Sequence, residues 1–429
     1  MLETYFQLKK HGTDVRTEVV AGLTTFLTMA YIVFVNPLIL GDAGMDKGAV
    51  FVATCVASAI GTLVMGLYAN YPLALAPGMG LNAYFTYGVV KGMHYSWEVA
   101  LGAVFISGVL FMLLSVTRVR EWIVDAIPQS QKMAISAGVG LFLGIIALKN
   151  AGVVVASPDT FVTLGNLKAP PTLLAVAGFL VMVALDARKV PGAIIIAILV
   201  TTLVGVIAGV SPFLGVASLP PSVAPTFLKL DIAGALDTGV LVIIFAFFFV
   251  DLFDNTGTLV GVAHRAGLIR KDGHIPRLLR VFVADSTATL VGSLLGTSTV
   301  TSYIESAAGV RAGGRTGLVG VVVAALFLLT LFFAPLAETV PAYATAPALL
   351  YVACLMARGL AEIGWEDVTE YAPAVVTAIV MPLTFSIANG IAFGFILYAA
   401  IKLLAGRTKE ASPAVLVLGL LFLIRFVEL

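Results

Sequence analysis

Long apolar runs recur along this 429-residue chain, separated by short stretches rich in polar residues, Gly and Pro. A helix that crosses a bilayer needs roughly 20 predominantly apolar residues. That ruler predicts spans over residues 18–40, 49–69, 72–90, 97–117, 132–150, 172–187 and 191–214. A loop at 215–237 follows, punctuated by Leu219-Pro220-Pro221 and Ala224-Pro225. Seven further spans follow, over 238–262, 277–297, 299–313, 315–335, 342–358, 370–386 and 388–405. A last apolar piece, 413–429, is left open between a surface segment and a short extra helix.

Two of these spans are interrupted. Residues 72–90 read PLALAPGMGLNAYFTYGVV, and the segment 296–313 reads GTSTVTSYIESAAGVRAG. They are the third and the tenth span, so they occupy matching places in the two halves of seven. The pairs 172–214 and 370–405 also correspond, each being two apolar runs joined by a hinge of small residues. Interrupted spans at corresponding positions point to a transporter site built on inverted repeats. An odd number of spans per half inverts the second half. Backbone released from helical bonding at membrane depth must line a cavity or be buried in protein. The predicted class is therefore an all-α polytopic membrane protein of about 14 spans in two inverted seven-helix repeats.

Composition agrees with the pattern. Apolar residues make up 60% of the chain and charged residues 11%, against about 45–50% and 25% in soluble domains; mean hydropathy is +1.05. A net charge of +1 gives no general attraction to nucleic acid. The cysteines, Cys55 and Cys354, form no framework, and the four histidines form no ligand cluster, so no metal or cofactor is expected. The N-terminal MLETYFQLKKHGTDVRTE lacks the pattern of a cleavable signal. With the N-terminus placed in the cytoplasm, the segments on that side hold 19 Lys and Arg, among them Arg118, Arg120, Arg265, Arg270, Lys271, Arg277 and Arg280. The opposite side holds 5, namely Lys47, Lys91, Lys149, Lys168 and Lys229. This bias predicts a multi-pass protein of the cell membrane with both termini cytoplasmic.

The chemistry stands inside the apolar runs. Asp251 and Asp254 interrupt VLVIIFAFFFVDLFDNTGTLVGV, and Glu305 sits in TSTVTSYIESAAGV. A carboxylate at the centre of a spanning helix costs roughly 2.5–3.5 kcal/mol on insertion scales, and it is normally kept where it faces a cavity, an ion path or a substrate. Asp251, Asp254 and Thr258 share roughly one helical face, and Gly257 opens space beside them. Asn82 follows Gly78 and Gly80 in the third span. Carboxylate acceptors, an amide and free backbone groups suit a planar, uncharged ligand with hydrogen-bonding edges. Tyr84, Phe85, Phe253 and Tyr303 could stack on a flat ring. Glycines such as Gly138, Gly140 and Gly144 read as close helix contacts. There is no P-loop, nucleotide-binding glycine motif or nucleophile–base pair, so the chain reads as a transporter driven by an ion gradient and not as an enzyme. Titratable carboxylates favour protons over sodium as the coupling ion.

The segments AGLTTFLTMAYIVFVNPLIL (21–40), APGMGLNAYF (76–85), FVDLFDNTGTLVGVA (249–263) and YIESAAGVRAGGRTGL (303–318) resemble the signatures of AzgA-like purine permeases. These belong to the nucleobase–cation symporter (nucleobase–ascorbate transporter) superfamily. The resemblance implies core units at 18–117 and 238–335 and gate units at 132–214 and 342–405, with short strands in spans 3 and 10 lining the site. It implies import of adenine, guanine or hypoxanthine by proton symport with alternating access. Asp254 matches the acid of span 8 that hydrogen-bonds the base, Asp251 being the alternative; Gly257 favours Asp254. Glu305 matches the acid or amide of span 10 that holds the other edge. Gly80 and Asn82 fall on the third-span binding segment, and Tyr303, Ile304 and Thr258 complete the candidate binding set. Asp285 matches a supporting acid of span 9. Thr258 stands where uracil permeases carry a histidine, so coupling falls to Glu305, Asp254, Asp251 or Asp285. A homodimer through the gate units is the family's usual assembly. The alternatives are a permease for uracil, xanthine or another base, sodium-coupled in one version, and a membrane receptor for a small planar ligand.

Overall fold

The computed structural model describes residues 2–116, 126–237, 239–268 and 275–428. Arg118, Arg120, Arg270 and Lys271 of the predicted charge bias lie outside the described residues. Ten helices among those described are long and apolar enough to cross a membrane, from Val15–Gly41 to Ile387–Leu404. The shorter apolar helices Ala193–Ile207 and Val368–Leu383 fill two more predicted positions. The interrupted segments at 75–92 and 300–311 fill the remaining two. The chain is a multi-pass membrane protein, predominantly helical, with its spans in the predicted order. Side-chain caps mark several starts. Asp14, Asp46, Asp367 and Ser386 each accept a backbone N–H of the first turn that follows, and such a cap contributes about 1 kcal/mol. The hinges within the pairs 172–214 and 370–405 are turns with residues in the left-handed region, Lys189 and Gly192 in the first, Phe385 in the second.

Spans 3 and 10 meet at the centre. Strand β1 (Leu75–Pro77) pairs antiparallel with a strand from the second half, Val300–Ser302, with Leu75 opposite Ser302 and Pro77 opposite Val300. Hydrogen bonds from Gly78 N–H to the Thr299 carbonyl (3.0 Å) and from Tyr303 N–H to the Ala74 carbonyl (2.9 Å) extend the ladder at both ends. This satisfies backbone groups that the broken helices would leave orphaned. Both strands are wholly buried. Each is anchored by a threonine of the preceding span. The Thr62 hydroxyl accepts Leu75 N–H at 2.9 Å, and the Thr289 hydroxyl donates to the Val300 carbonyl at 2.8 Å. The same device thus recurs at the first residue of each strand, in spans 2 and 9, as expected of an inverted repeat. Two further strands, β2 (Val154–Ser157) and β3 (Phe161–Leu164), form a separate, mostly exposed hairpin between spans 5 and 6; the central strand of the second half, Val300–Ser302, is therefore β4.

Span 1 braces span 10. It has a tight turn at Ala30–Tyr31 between helices Val15–Met29 and Ile32–Gly41, where N–H groups reach back only three residues, from Val33 to Ala30 and from Phe34 to Tyr31. The wholly buried Glu18 carboxylate accepts from Arg315 N–H, Thr316 N–H and the Thr316 hydroxyl, capping the start of the next span. The short helix Ser306–Arg311 lies directly against span 1. A Cβ added at Gly309 would fall 2.0 Å from Thr25 Oγ1 and 2.6 Å from the Ala21 carbonyl oxygen. Gly309→Ala must therefore push the two elements apart. Overpacking of this kind costs about 1–3 kcal/mol, so the purified protein is expected to melt several degrees lower in detergent. An unchanged melting curve would contradict this packing.

Span 5 packs against spans 12 and 13 through small residues. A Cβ at Gly138 would meet Met381 Sδ at 2.6 Å, and one at Gly140 would meet Met356 Cβ at 2.6 Å. At one end of Ile387–Leu404 the buried Lys402 pairs with Glu370 (2.8 Å) and Glu410 (2.9 Å). Ser130 of span 5 and Tyr398 also donate to Glu370. A buried cation needs such partners, because its desolvation is costly otherwise. The terminal piece is a helix, Pro413–Glu428; Phe422 stacks on Phe395, with ring centroids 6.2 Å apart. At about 1.5 Å per residue its 16 residues reach only about 24 Å, short of a hydrocarbon core of about 30 Å.

Candidate functional site

Asp254 lies midway along the helix Leu241–Arg265 and is partly exposed. It borders a cavity together with Gly80 and Leu81 of span 3, Ile135, Ser136 and Val139 of span 5, Val250 and Phe253 of span 8, and Met356 of span 12. The empty volume is about 300 Å³, counting space open to solvent. Spans from both halves build it, and its lining is apolar except for Asp254 and Ser136. One turn beyond Asp254, a Cβ at Gly257 would meet nothing within 4 Å, so the space beside the carboxylate is open. At Gly80 span 3 lies close against span 5: a Cβ there would fall 2.4 Å from Val139 Cγ1. Any side chain at position 80 would fill the cavity or split these spans.

Glu305 occupies the joint between β4 and the helix Ser306–Arg311, as that helix's N-cap residue. Its Oε1 accepts the Tyr31 hydroxyl at 2.6 Å, and the Thr28 hydroxyl reaches its backbone carbonyl at 3.5 Å. The side chain stays partly exposed. Asp254 lies close enough for the two carboxylates to interact electrostatically. The structure thus brings the eighth-span and tenth-span acids into one electrostatic neighbourhood at the broken spans. Together they offer acceptors for ligand N–H groups, in a setting of low dielectric where hydrogen bonds are strong.

The other residues singled out from the sequence take different places. Tyr303 is buried, and its hydroxyl donates to the Pro77 carbonyl at 2.6 Å, fastening β4 to β1. Ile304 is 45% exposed and lies beside Gly261 of span 8. Asn82 is wholly buried and does not line the cavity. Its Oδ1 accepts the Ser298 hydroxyl, and its Nδ2 has no hydrogen-bond partner among the described residues. Thr258, Asp251 and Asp285 are buried. Of the aromatic candidates, Phe253 borders the cavity. Tyr84 and Phe85 are packed wholly inside, Tyr84 edge-on to Phe247 at 5.1 Å.

Three residues of this neighbourhood were not read from the sequence. Tyr31 looked like any apolar-span aromatic. Ser298 sits in a run of small hydroxyl residues, and only the fold shows that it meets Asn82. Asn255 is wholly buried, with neither amide atom hydrogen-bonded among the described residues; an amide inside an apolar helix was the available signal.

A family profile described as a permease family matches residues 16–393. A Methanocaldococcus jannaschii protein named only as a permease is 58% identical over 429 residues, covering 100% of this chain and 98% of its own length. The adenine permease AdeP of Escherichia coli is 50% identical, covering 100% of this chain and 96% of its own. The guanine/hypoxanthine permease PbuG of Bacillus subtilis is 44% identical, with both chains covered in full. Among solved structures, the transmembrane domain of the cyanobacterial bicarbonate transporter BicA superposes with a TM-score of 0.66 at 18% identity, covering 88% of this chain and 96% of that one. At that identity the likeness concerns the fold, an inverted-repeat transporter architecture.

Proposed function

We propose that this chain, which belongs to the permease family matched over residues 16–393, is a secondary transporter that imports purine nucleobases. The observation that carries the reading is the cavity at Asp254, lined also by Phe253 and Gly80, with Glu305 nearby at the second broken span. The relatives at 50% and 44% identity are named as adenine and guanine/hypoxanthine permeases. A purine has an apolar face for Phe253 and edges that carry both N–H donors and ring-nitrogen acceptors, which a carboxylate and a protonated carboxyl group can meet. Asp254 is the primary ligand and Glu305 holds a second edge. Asn82, through Ser298, keeps the third span registered on the segment before β4. Asp251, Thr258 and Asp285 support the helix faces behind the site.

The cavity lining supports a division into core units at 18–117 and 238–335 and gate units at 132–214 and 342–405. It joins spans 3 and 8 of the former to spans 5 and 12 of the latter. A site at such a boundary opens to alternate sides when one unit moves against the other. Protons are the coupling ion in this reading, because carboxylates are the titratable groups at the site. Uptake of radiolabelled adenine, guanine and hypoxanthine, each competed by the others and repeated with an uncoupler, tests it. Saturable, mutually competed and uncoupler-sensitive accumulation is expected. Binding without accumulation would favour a receptor.

Orientation is tested separately. In this reading both termini and the 265–280 segment lie in the cytoplasm, which the charge bias supports. A cysteine introduced there, in a chain whose exposed Cys354 is replaced by Ala, is expected to react with an impermeant maleimide only after the membrane is opened. Labelling in intact cells would reverse the orientation of both repeats.

A further inference from the structure

We propose that the adjoining ends of spans 2 and 9, with the N-terminal segment folded against them, bind the phosphate headgroup of an anionic phospholipid. Three parts of the chain meet there. The Tyr5 hydroxyl donates to the Leu67 carbonyl at 2.9 Å, and the Asn70 amide donates to the Phe6 carbonyl at 3.3 Å. The N-terminal segment therefore lies on the last turn of span 2. Arg280 of span 9 sits over the Tyr68 ring, 5.4 Å from its centre, and donates to the Tyr68 carbonyl at 3.5 Å. Arg277 sits over the Tyr71 ring at 5.2 Å, and the Tyr71 hydroxyl donates to the Pro276 carbonyl at 2.5 Å. Arg277 is close enough to Arg280 and to His11 to act on both electrostatically, and Lys10 acts on His11 in the same way.

Gathering Lys10, Arg277 and Arg280 in one place is unfavourable by Coulomb repulsion. Among the described residues none of the three is in an ion pair. The acids nearby are engaged elsewhere. Glu18 holds the backbone at Arg315 and Thr316, Asp14 caps the helix Val15–Met29, and Glu3 accepts the Lys9 N–H. An external anion relieves the repulsion, and the planar fork of a guanidinium matches phosphate. The surroundings select a lipid over free phosphate. Leu67, Tyr68 and Leu279, next to these groups along the chain, are 43–48% exposed, an apolar strip for the acyl chains beside the charges. Tyrosine at the headgroup level suits that boundary. The orientation read from the charge bias puts the patch at the cytoplasmic leaflet, whose anionic lipids attract basic segments. That bias explains the sign of the charge, but not two guanidiniums set on tyrosine rings at an exposed apolar edge.

The test titrates phosphatidylglycerol, phosphatidylcholine and inorganic phosphate separately into the full chain purified in a neutral detergent, with the melting temperature reporting binding. The variants are Arg277→Gln with Arg280→Gln, Lys10→Gln alone, and a control pair, Arg188→Gln with Lys189→Gln, which removes two cations from another segment assigned to the same side. Phosphatidylglycerol is expected to raise the melting temperature of the wild type and of the control pair equally, while the other two probes leave both unchanged. The half-maximal phosphatidylglycerol concentration should rise about thirtyfold in the double arginine variant and about fivefold in Lys10→Gln. Lys10 is exposed, so Lys10→Gln reads the site even where loss of Arg277 from the Tyr71 ring weakens the fold. The same half-maximal concentration in all variants, or an equal rise in the control pair, would make the effect one of general surface charge and overturn the site. A shift with inorganic phosphate as large as with phosphatidylglycerol would assign the patch to a free anion and overturn the lipid.

Discussion

Asp254→Ala and Glu305→Ala are each expected to abolish saturable purine uptake while the protein still reaches the membrane. Asp254 borders the cavity and Glu305 stands at the joint between β4 and the helix after it. A hydrogen bond to a charged group is worth roughly 1.5–3 kcal/mol, so binding should weaken by about tenfold to more than a hundredfold. Truncation also leaves the apolar lining nearly intact. Val139, Val250, Phe253 and Met356 keep their packing, and loss of uptake would not reflect a collapsed site. Equilibrium binding of radiolabelled adenine and hypoxanthine to purified variants separates affinity from turnover. An Asp254→Ala protein that binds with wild-type affinity would remove Asp254 from the site and shift the primary role to Asp251, three residues earlier on the same helix.

Much of this architecture is legible in the sequence because the bilayer leaves the backbone few choices. In hydrocarbon every N–H and C=O must be satisfied within the segment, so helical runs of the required length are the default. Departures such as Pro77, Gly78 and Gly80 show up against it. The acids are equally conspicuous, because an apolar run tolerates them only for a reason. What the sequence could not show is pairing across hundreds of residues. Nothing local says that Leu75 stands opposite Ser302, or that Ser298 finds Asn82. Span 1 is similar: Tyr31 reads as one more aromatic in an apolar run, and only the fold puts its hydroxyl on Glu305. Nothing in the sequence marks the exposed hairpin at 154–164, because its strands of 4 residues each are too short to stand out. The placement of Asn82 also differs from a simple reading of its motif. Its neighbours Gly80 and Leu81 face the cavity while its own amide turns into the protein toward Ser298.

Glu305→Gln is expected to keep purine binding and lose concentrative uptake. No histidine occurs in the two broken spans, and the one in Leu241–Arg265, His264, lies in its last turn, well beyond Asp254. If protons drive transport, a carboxylate carries them. Glu305 suits the role because protonation turns an acceptor into a donor that can match a ring nitrogen of the base. Among the described residues, the charged and polar groups that face it include Asp254 of span 8, Tyr31 and Thr28 of span 1, Tyr351 of span 12 and the neighbouring Tyr303. None of them is a fixed cation that would hold Glu305 permanently ionised. In that scheme the protonated form binds the base, so affinity falls as pH rises. Glutamine keeps a donor and cannot titrate. Its affinity should therefore be flat with pH, the Tyr31 hydroxyl should still find an acceptor in the amide oxygen, and uptake should only equilibrate the base across the membrane. Proteoliposomes with an imposed pH gradient make the comparison directly. If Glu305→Gln still concentrates purine against a gradient in a pH-dependent manner, Glu305 does not carry the proton, and Asp254 becomes the group to replace by Asn in the same assay.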